Sequence, residues 1–95
     1  MIPRYKLRYF FELGGDCLWA ANDAAMEKFG YPVFLDDLPL TDATRQCGAA
    51  LLERSVMLFD TNGGHVDQSF MIDARIFLER LRSELGPAFE IVDEL

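Results

Sequence analysis

The chain has 95 residues, 51% of them hydrophobic and 13% aromatic, with sixteen Asp and Glu against nine Lys and Arg and a formal net charge of −7. That length holds one domain and one core, spanning residues 1–95, and so apolar a composition excludes a disordered acidic tail; the charge decorates a folded body. An acidic surface field repels nucleic acid and anionic membrane and attracts basic proteins. Three of the bases, Arg4, Lys6 and Arg8, fall within the first eight residues, so the chain beyond Glu12 is more acidic still. No apolar run approaches the roughly 20 residues that span a bilayer, and Met1-Ile2-Pro3-Arg4-Tyr5-Lys6 has no apolar signal region. A cytoplasmic protein is expected.

Residues 4–13 alternate strictly, with Tyr5, Leu7, Tyr9, Phe11 and Leu13 on one face and Arg4, Lys6, Arg8 and Glu12 on the other, which predicts a half-buried strand. Phe10 breaks the polar face. Gly14-Gly15-Asp16 supplies a turn, and Cys17-Leu18-Trp19-Ala20 returns as a short second strand. Asn22 or Asp23 caps a brief helix that ends at Gly30, with Pro32 forbidding its continuation. The connector 31–40 is too apolar for a free linker and is expected to pack across the domain.

Thr41 is the predicted N-cap of a long helix reaching about Phe59, with Asp42 in its first turn and Cys47, Leu51, Leu58 and either Leu52 or Phe59 as its apolar stripe. Gly48 weakens its middle by about 1 kcal/mol relative to Ala. Residues 60–66 are turn chemistry. The last helix repeats Phe70, Ala74, Phe77, Leu78, Leu81 and Leu85 at helical spacing and stops at Gly86-Pro87, after which Phe89-Glu90-Ile91-Val92-Asp93 reads as a strand. The order gives an α+β fold: a small three-stranded, mainly antiparallel sheet of N- and C-terminal strands plus a short hairpin strand, packed by two long helices and one short helix. The basic face of the first strand should pair with Glu90 and Asp93 of the last.

No catalytic, cofactor or metal signature accompanies this fold. Cys17 and Cys47 stand thirty positions apart with no CxxC and no nearby His, and are expected in the core as free thiols. His65 sits in a Gly-rich turn, a poor place to hold a general acid or base, and combinations with Ser55 or Ser69 lack a nucleophile elbow. Asp60 to Asp67 begins like a calcium loop, but His65 replaces the turn Gly and Met71 the bidentate Glu. The best enzyme set is His65 with Asp60 and Asp67. Asp42 and Asp67 read as helix-start carboxylates. Asp36-Asp37, flanked by Phe34, Leu35 and Leu38, has no capping duty and puts charge beside apolar surface, the mixture a protein interface uses. Asp36, Asp37 and Asp60 are therefore the candidate partner-binding residues.

The segments Cys17-Leu18-Trp19-Ala20-Ala21-Asn22-Asp23, Phe29-Gly30-Tyr31-Pro32-Val33 and Leu38-Pro39-Leu40-Thr41 resemble small acidic uncharacterised bacterial proteins, several groups of which resemble immunity proteins of secreted toxin systems. The likeness covers most of the chain from Arg8 to Asp93. It implies a protein that neutralises a basic, nuclease-like toxin domain by acidic occlusion of its active site. Two alternatives come from other classes: a homodimeric structural or regulatory module, compatible with Phe10 on the outer sheet face, and a small enzyme using His65. The expected partner is a basic protein domain, and the chain itself is a monomer or weak homodimer.

Overall fold

The computed structural model describes residues 3–12, 16–62 and 68–95, with the backbone alone at 59–62. The alternating N-terminal segment forms β1 (Tyr5–Tyr9), the centre of a sheet ordered β2-β1-β3 with β2 at Leu18–Ala20 and β3 at Phe89–Asp93. Leu7 and Tyr9 are fully buried beneath the helices, while Lys6 and Arg8 occupy the opposite face. Tyr5 meets Phe29 and Phe89 at one end of the core, and Tyr9 meets Phe11 at the other, where Phe11 in turn meets Phe70. The Tyr9 hydroxyl donates to Ala74 O at 2.8 Å, which satisfies the polar end of a buried ring.

The sheet is mixed, which corrects the expectation of a mainly antiparallel one. β1 pairs with β2 antiparallel, Leu7 opposite Ala20, but with β3 parallel, Tyr5 opposite Phe89 through Tyr9 opposite Asp93. The two long helices, α2 (Asp42–Asn62) and α3 (Gln68–Leu85), explain the reversal. Contacts of Thr41 with Glu84, Cys47 with Arg80 and Arg54 with Asp73 run in opposite senses along them, so the helices are antiparallel. The chain therefore re-enters beside the start of β1 and makes a parallel crossover, which a hairpin cannot.

Local chemistry sets the helix ends. Asn22 Oδ1 accepts from Ala25 N at 2.9 Å to cap α1 (Asp23–Phe29), and Gly30 leaves it at φ 83°, a conformation that favours glycine. Thr41 Oγ1 accepts from Thr44 N at 3.3 Å at the start of α2. A capping box would place Glu or Gln three residues on to bond the cap's own N–H; Thr44 stands there, and Glu84 of α3 does that work instead, accepting from Thr41 N at 2.9 Å and from the Thr44 hydroxyl. Helix α3 buries the whole predicted stripe of Phe70, Ala74, Phe77, Leu78, Leu81 and Leu85. In α2 Thr44, Leu51 and Ser55 are buried, the expected Leu52 and Leu58 pack against the core half-buried, and the helix runs three residues past the expected end. Gly48 lies where a Cβ would overlap Leu35 Cδ1 and stand 2.8 Å from Phe77 Cζ.

Candidate functional site

Most of the protein's cations are used internally. On the outer sheet face Lys6 lies 3.9 Å from Glu90, and Arg8 binds Glu94 through Nε at 2.9 Å and Nη2 at 2.6 Å. Arg8 holds the Glu94 carboxyl below its usual range, and the Arg8 guanidinium is shifted upward in return. Glu94 replaces the expected Asp93 because alternation along β3 turns Asp93 to the helix side, where it faces Arg75 at 3.7 Å. Arg45, Arg54, Arg80 and Arg82 pair with Asp42, Asp73, Glu84 and Glu79. Asp16, Asp36 and Asp37 enter no ion pair among the described residues, so their charge is directed outward.

The connector after α1 carries Asp36 and Asp37. Val33 is held by its N–H to Leu18 O at 2.9 Å, and Leu38 and Leu40 are buried, so the segment is pinned at both ends. Between the pins a 3-10 turn, Leu35–Asp37, lifts Asp36 and Asp37 into solvent. Phe34, directly before this turn, is 54% exposed, and Tyr31, earlier in the connector, is 52% exposed. Tyr31 leans on Trp19, with ring centroids 5.3 Å apart, and Trp19 stacks on Phe10 at 5.1 Å while its indole N–H donates to Phe10 O. Phe10 is thus packed within its own molecule. A cleft of about 190 Å³ opens beneath Phe34, with Asp16 and Asp36 on its rim and Val33, Ala49 and Leu52 among its walls. Arg45 closes one side, held by Leu38 O at 2.8 Å and by Asp42.

Asp36 and Asp37 are neighbours on the 3-10 turn Leu35–Asp37. Asp60 belongs to α2, about 12 Å along the helix axis beyond Leu52, and its side chain lies outside the described residues. His65 and Asp67 also lie outside the described residues. Ser55 is fully buried and donates to Leu52 O at 2.8 Å, so its hydroxyl is consumed by its own helix. Cys17 is buried as expected, and burial, reinforced by Asp16, pushes its thiol up to about 12. Cys47 is exposed, which corrects its assignment to the core: α2 rotates Leu51 and Ser55 inward and leaves Cys47 at the α3 flank, 3.3 Å from Arg80 Nη1.

Sequence reasoning singled out the connector's charges, named Phe34 only as their apolar flank and gave Tyr31 no role. Val33 and Phe34 are adjacent and equally apolar, and only the bridge to β2 decides that one points in and the other out. The lone signal was Phe34 lying directly before Leu35-Asp36-Asp37. Comparison with protein-family models gives no match to this chain, and neither does comparison with curated proteins.

Proposed function

We propose that the chain is a cytoplasmic protein-binding domain that recognises a basic protein through its 31–37 connector, in the manner of a bacterial immunity protein occluding the active site of a nuclease-like toxin domain. The observation that carries this reading is the exposure of Phe34 beside Asp36 at the mouth of one cleft, with Asp37 exposed next to it in the chain and Tyr31 exposed earlier in the connector. Aromatic anchors supply affinity in such interfaces, and surrounding carboxylates speed encounter with a cationic partner. The cleft, at about 190 Å³, is smaller than the roughly 300 Å³ at which small-molecule pockets begin, and it suits one inserted side chain. Nuclease domains hold phosphates with Arg and Lys, and either would be attracted between Asp16 and Asp36.

A pull-down from the source cell's lysate, followed by surface plasmon resonance of the captured protein across a salt series, tests this. Asp36→Asn with Asp37→Asn should slow association by about tenfold and flatten its salt dependence, with the melting temperature unchanged. Phe34→Ala should instead speed dissociation. An acidic partner, or a basic one bound equally well by all three proteins, would refute the reading.

A further inference from the structure

The turn that displays Asp36 is too short to hold its own shape. Its backbone bonds run from Asp37 N–H to Phe34 O at 3.0 Å and from Leu38 N–H to Leu35 O at 3.2 Å, and a lone 3-10 turn in water is not stable on so few. Phe34, Asp36 and Asp37 are exposed, so it is Leu35 that turns inward, where it packs half-buried against the core. Its seat on α2 is Gly48, a buried position where an added Cβ would overlap Leu35 Cδ1 and stand 2.8 Å from Phe77 Cζ. Among the described residues the positive-φ glycines are Gly30 and Gly86, so no backbone conformation calls for glycine at 48. Three residues earlier on α2, Arg45 Nη2 donates to Leu38 O at 2.8 Å. The same stretch of helix therefore grips the turn at its start and at its end.

We propose that Gly48 and Leu35 are positioning residues of the binding connector: Leu35, seated in the space that Gly48 leaves open, holds Phe34 and Asp36 in their displayed form before a partner arrives. The purpose of this seat rests on the functional reading above, and its geometry does not. Filling the core alone would be met by alanine at 48 with a shorter side chain at 35, and the helix would be spared a residue that weakens it. The observed pairing adds reach, since Leu35 extends from a surface segment toward Phe77, whose ring is 3% exposed. The seat also fixes the gap between α2 and the connector, because Phe34 and Asp36 on one side and Arg45, Ala49 and Leu52 on the other line the same cleft. A turn fixed in this way loses little freedom on binding, so more of the contact energy appears as affinity. Arg45 does the same work at the end of the turn through Leu38 O.

Hydrogen exchange of the full chain, followed by NMR, tests the seat without a partner. The Asp37 and Leu38 amides should exchange about tenfold faster in Leu35→Ala and in Gly48→Ala, measured relative to the Leu7 amide of the central strand, which reports global unfolding. Combining the two substitutions should return that ratio toward its wild-type value, because the new methyl at 48 occupies space that the shortened side chain vacates. Arg45→Met, which adds no atom to the core, should quicken the same two amides. Against the basic protein captured by the pull-down, Leu35→Ala and Gly48→Ala should each bind about tenfold more weakly below their melting temperatures, with an unchanged salt slope because no charge is removed. Asp36→Asn with Asp37→Asn should instead flatten that slope, so a misplaced turn and a failed functional reading give different results. Asp37 and Leu38 amides that keep the wild-type ratio in both single variants, or folded variants that bind the captured protein with wild-type affinity, would overturn the proposal.

Discussion

Gly48→Ala separates local propensity from tertiary packing because the two predict opposite signs. In an isolated helix the change stabilises by about 1 kcal/mol. In α2 the new methyl overlaps Leu35 Cδ1 and stands 2.8 Å from Phe77 Cζ, closer than carbon atoms approach without one of them moving. Leu35 sits on the connector and can yield, but Phe77 is 3% exposed and backed by Tyr9, so its ring has nowhere to go. Overpacking of this kind costs about 1–3 kcal/mol, and after the helix gain a net loss of about 1 kcal/mol remains. For a domain of this size that lowers the melting temperature by about 4–8 °C. Urea titrations followed by circular dichroism measure it, with Leu35→Ala as a second perturbation that removes one of the two clashes. The double variant should then lose less than the sum of the singles, with a coupling of about 0.5 kcal/mol or more. A Gly48→Ala protein with a raised midpoint and unchanged slope would refute the packing account.

Two further outcomes follow from side chains that the fold places. In dilute native protein a thiol reagent should titrate one cysteine rapidly, and the fast phase should vanish in Cys47→Ser; Cys17, buried and with its thiol pushed up to about 12, should react only after denaturation. Loss of the fast phase in Cys17→Ser instead would invert the burial assignment. The second concerns the Glu84 carboxyl, held below its ordinary value first by the Thr41 N–H and then by the Thr44 hydroxyl. A depressed folded value means that its stabilisation is present above the unfolded Glu value of about 4.3 and is lost as pH falls through the lower folded one. The melting temperature of wild type should therefore exceed that of Glu84→Gln near neutrality, and the gap should close in acid; a gap constant from about pH 6 to about pH 2 would show that the cap contact is not formed.

Elements whose pattern is carried by many residues in a row were legible in the sequence. The alternation of Tyr5, Leu7 and Tyr9 and the helical repeat from Phe70 to Leu85 each state a period and a buried face, and the structure follows both. Asn22, Gly30 and Thr41 marked helix ends because capping depends on atoms within a few residues. The candidate site was half legible: Asp36 and Asp37 stand exposed as a consecutive pair, for charge in an apolar connector has few places to go but outward. What tertiary structure alone decided has a common physical origin, a partner distant in the chain. The parallel pairing of β1 with β3 depends on two antiparallel helices bringing the chain back. Glu94, rather than Asp93, reaches Arg8 because register is set across the sheet. Phe34 turns out and Phe10 is covered because Val33 binds β2 and Trp19 lies over the first strand's end. Gly48, a weakness by local propensity, is required by two side chains from elsewhere, and Cys47 is exposed because α2 turns Leu51 and Ser55 to the core.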